Sequence, residues 1–207
     1  MNARCQDIDA YIADLRETIA KTPDCANHLY NLGMAFLAKR DFFQAEQAFL
    51  DAAHKSPRLA EAYVQLGGIC LQRGDLEGCL NYNKEAANCR PRFAIAHANI
   101  GFVHLQRGEA GEAVAAFSKA LKWDPRFLQA MVSLAAAHYM LGNLDESVIL
   151  SERAINQAPG FGPAYNNLAL VWLEKGEGKK ALEYARLAAA NGFEVAEGFW
   201  KELEPYK

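Results

Sequence analysis

The sequence predicts an all-helical fold made of tandem helix–turn–helix units. Two kinds of helix-breaking residue recur with one common period of 34 residues. Between the breakers, small and apolar residues follow helical spacing, as in the stretch 94–127, where a turn at Gly108 interrupts the pattern once. Each unit is therefore expected to contain two helices. The recurring breakers are Pro23, Pro57, Pro91, Pro125 and Pro159, together with Gly74, Gly108, Gly142 and Gly176.

The units share, in whole or in part, a Leu-Gly pair in the first helix, Ala-x3-Phe-x2-Ala in the second and a closing proline, as in Leu32, Gly33, Ala45, Phe49, Ala52 and Pro57. This pattern resembles the tetratricopeptide repeat. The resemblance implies a right-handed α-solenoid of five tandem repeats with a capping helix at each end. The matching residues are Leu32, Gly33, Ala45, Phe49, Ala52 and Pro57, then Leu66, Gly67, Ala86 and Pro91, then Ile100, Gly101, Ala113, Phe117, Ala120 and Pro125, then Leu134, Ala135, Ala154 and Pro159, and finally Leu168, Ala169, Trp172, Ala181 and Ala188.

The repeats and their caps account for the whole chain. A half-repeat with Ile8, Ile12 and Leu15 on one helical face is expected to cap the first repeat, and a helix with Phe199 and Trp200 on one face is expected to cap the last. A repeat protein of this kind is expected to be one elongated unit without a separate domain boundary. The expected segments are the N-terminal cap 1–25, repeats 26–59, 60–93, 94–127, 128–161 and 162–193, and the C-terminal cap 194–207.

Local signals predict how the helices begin, end and touch. The recurring turn glycines end the first helices, and Arg40 stands at that place in the first repeat. Asp75 and Asn143 are expected to cap the second helices of their repeats. Gly33, Gly67 and Gly101 are expected where paired helices approach closely, and Ala135 and Ala169 should leave wider contacts. Replacements in the second helices, Cys79, Asn83, Ser147, Ser151 and Ala185, are expected to weaken individual interfaces.

Charge and hydropathy narrow the possible partners. The chain has 22 basic and 25 acidic residues and a formal net charge of −3, which gives no broad cationic field for nucleic acid. The sequence contains no apolar stretch of the length that a signal peptide or a membrane span requires. We therefore expect a cytoplasmic protein that binds neither nucleic acid nor membrane.

The five cysteines lack C-x-x-C spacing and are odd in number, which argues against a disulfide framework and a zinc ribbon. Reduced thiols that pack as small hydrophobes are expected, and a redox pair of Cys70 and Cys79 is the alternative. The cysteines are Cys5, Cys25, Cys70, Cys79 and Cys89.

By the resemblance, the first helices line a concave groove whose floor is apolar. A column of period 34 in these helices carries four amides and one serine, similar to the asparagine ladder of some tetratricopeptide scaffolds. Such amides either bind the backbone of an extended peptide or satisfy local backbone groups. The expected groove residues are Asn31, Gln65, Asn99, Ser133 and Asn167 in the ladder, and Tyr30, Met34, Leu37, Val64, Leu71, Phe102, Leu105, Tyr139, Leu170 and Leu173 on the floor.

A second column of period 34, formed by Arg58, Arg92 and Arg126, follows the prolines. These arginines are candidates for the rim of the groove, or else for a solvated row paired with carboxylates. The groove columns contain no Lys or Arg, which argues against the clamp by which some family members grip a C-terminal carboxylate.

His97, His104 and His138 are the candidates for a chemical site, either as packing histidines or as metal ligands. The sequence contains no phosphate-binding glycine loop and no nucleophile motif, so we expect neither catalysis nor a cofactor. The predicted function is a non-catalytic adaptor that holds a peptide or helix of a partner protein in its groove. The alternatives are self-assembly through the terminal helices and a histidine metal site. A monomer is expected, with a dimer as the alternative.

Overall fold

The computed structural model describes the backbone of residues 3–207 and the side chains from Ile8 onward. These residues form twelve α-helices and one 3₁₀ helix and contain no β-strand, which confirms the predicted all-helical fold class. The side chain of Cys5 lies outside the described residues. The helices are α1 (Ala3–Lys21), α2 (Ala26–Ala38), α3 (Phe42–Lys55), α4 (Ala60–Gln72), α5 (Leu76–Cys89), α6 (Ala94–Gln106), α7 (Ala110–Trp123), α8 (Leu128–Met140), α9 (Leu144–Gln157), α10 (Gly162–Glu174), α11 (Gly178–Ala190), α12 (Glu197–Glu202) and the 3₁₀ helix Glu204–Tyr206.

The chain divides into two compact units, Met1–Ile100 and Gly101–Lys207, and the boundary falls within α6. The sequence predicted one continuous unit without such a boundary. In the first unit, α1 packs on α2, and the pairs α2/α3 and α4/α5 pack together. In the second unit, α8 packs on α7, and the pairs α8/α9 and α10/α11 pack together. Packing between sequence neighbours is typical of repeat proteins.

Each unit has its own apolar core. In the first unit, Ile12 and Leu15 of α1 are buried with Phe36 and Phe49. In the second unit, Leu182 of α11 is buried in a cluster that includes three residues from the end of the chain, Val195, Phe199 and Leu203. The helix that carries Phe199 spans only Glu197–Glu202 of the predicted C-terminal cap 194–207. The apolar face that was a candidate for docking to another molecule therefore packs on α11 of the same chain.

The turns within the repeats use the left-handed backbone conformation. Gly74, Gly108, Gly142 and Gly176 have φ angles between 74° and 79°. Arg40 occupies the same place in the first repeat with φ of 59° and is the one non-glycine residue with positive φ in the described part of the chain. A side chain costs roughly 1 to 2 kcal/mol in this conformation. The first turn is therefore strained where the other four are not.

Of the two predicted N-cap side chains, one makes a capping hydrogen bond and one does not. The Asp75 side chain accepts a hydrogen bond of 2.8 Å from the backbone N–H of Gly78, as expected for an N-cap. Asn143 occupies the N-cap position of α9, but its side chain makes no capping hydrogen bond. Its Nδ2 lies 3.3 Å from Nδ1 of His138 instead. Asn143 therefore occupies the predicted N-cap position without making the predicted capping hydrogen bond.

Two glycines of the first helices each face a large aromatic ring of the second helix in the same repeat. A Cβ atom on Gly33 would lie 2.6 Å from the Phe49 ring, and one on Gly101 would lie 2.9 Å from the Phe117 ring. These distances show the close approach that the sequence predicted. At the equivalent places in the last two repeats, first-helix alanines accompany smaller second-helix residues, and all four residues are fully buried. They are Ala135 with Ser151, and Ala169 with Ala185.

Candidate functional site

The predicted groove residues Asn31 and Met34 line an open apolar cavity of about 250 Å³ in the first unit. Ile8 and Tyr11 of α1 form the facing wall, with Ala35 and Ala38 beside Met34. Asn31 is exposed, and Met34 and Tyr11 are 39% and 48% exposed. The cap helix therefore contributes to this surface, which the sequence analysis missed because it assigned α1 a covering role alone.

Asn99, the third amide of the predicted ladder, is bonded within the protein. Its Nδ2 donates a hydrogen bond of 2.9 Å to Oδ1 of Asn83, which is fully buried. The Asn83 amide in turn donates 2.8 Å to the carbonyl oxygen of Cys79. Asn83 replaces the aromatic residue of the repeat, and its bond to Asn99 ties α5 to α6. Asn99 therefore stabilises the fold whatever else it binds.

The ladder positions of the second unit also make internal hydrogen bonds. The Asn167 Nδ2 donates 2.8 Å to the carbonyl oxygen of Val132, which joins α10 to α8. Ser133 is buried, and its hydroxyl lies 3.5 Å from Nε2 of Gln129. In the first unit, Gln65 is half-buried. Asn31 is thus the one ladder residue whose side chain is fully on the surface.

Several predicted floor residues turn part of their side chains toward the core. The Tyr30 ring packs on Phe49 with 5.5 Å between ring centroids. Leu37 packs on the core of the first unit, and Leu170 and Leu173 pack on the core of the second. The remaining floor residues are half-buried and leave apolar atoms accessible; they are Val64, Leu71, Phe102, Leu105 and Tyr139.

Arg58, Arg92 and Arg126, the predicted rim, are all exposed. The neighbouring Arg90 forms an ion pair of 2.7 Å with Glu61 and stacks over the Phe93 ring at 4.8 Å from its centroid. The arginine that precedes Pro91 therefore joins the end of α5 to α4 within the second repeat.

The three candidate histidines each have their own hydrogen-bonding partner. His97 Nε2 lies 2.9 Å from the carbonyl oxygen of Pro91, and His104 Nδ1 pairs with the Glu109 carboxylate. His138 contacts Asn143 as described above. Among the residues with described side chains, no three His, Cys, Asp or Glu side chains come together as a metal site would require.

Cys70 and Cys79 are buried, with 2% and 1% of their surfaces exposed, and pack as small hydrophobes in the first unit. Burial raises the pKa of both thiols, that of Cys79 to about 11. A thiol held protonated in this way is a poor nucleophile and a poor metal ligand.

A second cavity, of about 420 Å³, lies in the second unit where α8, α9 and α10 meet. Tyr139, Met140, Gly142, Leu144 and Glu174 line it. Of these five residues, only Tyr139 was predicted to lie in the groove. A signal was present: Glu174 is the one acidic residue in its column of the repeat, where the other copies carry Ala38, Gln72, Gln106 and Met140.

These helix pairs and their partly exposed inner surfaces define a helical-repeat protein. Family models described as tetratricopeptide repeat match residues 7–60 and 30–92, and a further one matches residues 104–169. Together the matches cover most of the chain. The chain belongs to the tetratricopeptide repeat family.

Solved structures of similar fold cover most of this chain. YrrB, titled a TPR protein with an unusual peptide-binding site, is 17% identical with a TM-score of 0.72 over 86% of this chain and 92% of its own. PilW, titled a widely conserved type IV pilus biogenesis factor, is 21% identical with a TM-score of 0.76 over 86% of this chain and 84% of its own. MamA from Desulfovibrio magneticus RS-1 is 18% identical with a TM-score of 0.72 over 81% of this chain and 95% of its own. At these identities the likeness concerns the fold.

No curated protein sequence matches the chain significantly. In the part of the chain that the structure describes, none of the helices has both the length and the apolar character needed to cross a membrane.

Proposed function

We propose that this protein is a non-catalytic interaction scaffold that binds a peptide or helical segment of a partner protein on the inner surfaces of its first helices. The observation that carries the proposal is the apolar cavity at Asn31 and Met34. The sequence assigned both residues to the groove, and the cavity has an exposed amide beside exposed apolar side chains. A backbone segment needs a donor and an acceptor from its binder, and an amide supplies both.

Family membership supports the same function, because helical-repeat proteins bind other proteins on extended inner surfaces. The likeness to YrrB, whose title names a peptide-binding site, agrees with a peptide as the bound segment. We also propose that the protein is cytoplasmic, monomeric and without a cofactor, and that Arg58, Arg92 and Arg126 form the rim.

Selection of binders from a displayed library of short random peptides tests the proposal on the full chain. A selected peptide should lose affinity on the order of fivefold to tenfold in Asn31→Ala or Met34→Ala, since each removes one contact of about 1 kcal/mol. Phe43→Ala is the matched control, because Phe43 is 68% exposed but lies on the second helix α3. The proposal fails if no peptide is enriched, or if Phe43→Ala weakens binding as much as Met34→Ala does.

The ladder residues must be tested separately from Asn31. Replacing Asn99 or Asn167 removes an internal hydrogen bond as well as a groove amide. A loss of binding in those variants therefore counts only when the free energy of unfolding is unchanged. Asn31 is exposed, so its replacement is expected to leave stability within about 0.5 kcal/mol of wild type.

A further inference from the structure

The cavity of about 420 Å³ in the second unit departs from the repeat at two positions. Tyr139 occupies a column in which the other four repeats carry Leu37, Leu71, Leu105 and Leu173. Glu174 is the lone carboxylate of the next column. Both departures line the same cavity, so one place on the molecule combines an aromatic ring with a negative charge.

The negative charge of a second glutamate also acts on the Tyr139 hydroxyl. The pKa of the Tyr139 hydroxyl is raised by burial first, and further by the negative charges of Glu174 and Glu202. Neither glutamate forms an ion pair within the described part of the chain. The cation next to Glu174 in sequence, Lys175, is bound to Asp145.

We infer that this cavity binds a basic side chain, lysine or arginine, of the partner segment. The inference rests on the proposed function. The occupant follows from charge complementarity. A cation is attracted to the face of an aromatic ring, here Tyr139, and a carboxylate such as Glu174 forms a charge-assisted hydrogen bond with it. Met140, which is 50% exposed, offers a polarisable apolar surface for the aliphatic stem of such a side chain.

The same chain provides a matched control for its electrostatics. Tyr184 also has a raised pKa, caused first by burial and then by the charges of Glu152 and Glu183. None of these three residues lines the cavity that holds Tyr139. Replacing Glu152 and Glu183 removes two negative charges from the second unit, one more than Glu174→Gln removes, without touching the cavity.

The test uses the full chain and the displayed library of short random peptides. Wild-type protein should enrich peptides with lysine or arginine at one position beside apolar residues. Glu174→Gln, which restores the residue of the second and third repeats, should lower the affinity for a selected basic peptide on the order of tenfold. Tyr139→Leu, which restores the leucine of the other repeats, should lower it as well. The double control Glu152→Gln with Glu183→Gln should retain binding within about twofold.

The outcomes separate this inference from the proposed function. Enriched peptides without a basic residue, or equal binding by Glu174→Gln and wild type, overturn the basic pocket and leave the scaffold function standing. Equal losses in Glu174→Gln and in the double control also overturn the pocket, because the attraction would then be a property of the total charge. The absence of any enriched peptide overturns both. Circular dichroism of each variant verifies that the fold is retained, as expected for exposed glutamates.

Discussion

Replacing Gly33 with alanine tests the size matching between paired helices. A Cβ atom at this position would lie 2.6, 2.7 and 2.8 Å from three carbons of the Phe49 ring. Phe49 is fully buried, so the ring cannot turn out into solvent to relieve the contact. Such overpacking costs about 1 to 3 kcal/mol, while the higher helix propensity of alanine returns about 1 kcal/mol. We expect Gly33→Ala to lower the free energy of unfolding by about 1 kcal/mol.

The control is Gly68→Ala in α4, where a Cβ atom would meet nothing within 4 Å. This variant should gain stability of up to about 1 kcal/mol from propensity alone. Urea unfolding measures the stability of both variants. The unfolding midpoint should fall for Gly33→Ala and rise for Gly68→Ala, with unchanged slopes. In a Phe49→Ala background, Gly33→Ala should no longer destabilise, which a double-mutant cycle detects. A Gly33→Ala variant as stable as wild type would refute the size-matching argument.

Three further predictions concern the turns, the thiols and the C-terminal cap. Arg40→Gly should raise the melting temperature by relieving φ of 59°, whereas Gly74→Ala should lower it, with a cost of roughly 1 to 2 kcal/mol. The raised pKa of Cys79, about 11, means that the folded state holds the thiol proton more tightly. Stability should therefore fall as pH rises from about 9 to about 11, and Cys79→Ala should reduce that slope in urea unfolding. Leu203→Ala should destabilise the second unit by about 2 to 5 kcal/mol in thermal unfolding, since Leu203 is fully buried, and an unchanged melting temperature would contradict its role in the cap.

The 34-residue period of the helix-breaking prolines and glycines was enough to predict the fold class, because the same pattern of breakers recurs from repeat to repeat. Pro57 and Gly74 each mark a helix boundary, and their equivalents recur 34 residues later. Close helix approach was also predictable, since Gly33 and Gly101 occupy helix interiors, where glycine is costly. The sequence did not reveal that small first-helix residues and large second-helix residues vary together. That relation links a position in the first helix with the position that it faces in the second helix, so it cannot be seen in either column alone.

The candidate site was less predictable than the fold. The amide column predicted Asn31 as a groove residue, and Asn31 lines a cavity, but Tyr11 on the facing wall comes from the cap helix, outside the repeat pattern. Glu202, whose negative charge helps to raise the pKa of the Tyr139 hydroxyl, lies at the end of α12 and is likewise outside the repeat pattern. Each column contains only equivalent positions of the five repeats. Residues of the non-repeating ends belong to no column, so the repeat pattern does not predict that they reach the surface.

Three ladder residues have different internal partners, and only Asn99 bonds the residue sixteen positions earlier in the chain, Asn83. Asn83 offers Asn99 an amide acceptor, so the two residues bond across α5 and α6. Before Ser133 the equivalent residue is Phe117, whose ring offers none, and Ser133 lies near Gln129 of its own helix. Before Asn167 it is the short Ser151, and Asn167 instead reaches the backbone of Val132. These three positions of one column therefore differ in the internal partner that holds the side chain, which is a side chain of the preceding second helix, a residue of the same helix, or a backbone carbonyl of the preceding first helix.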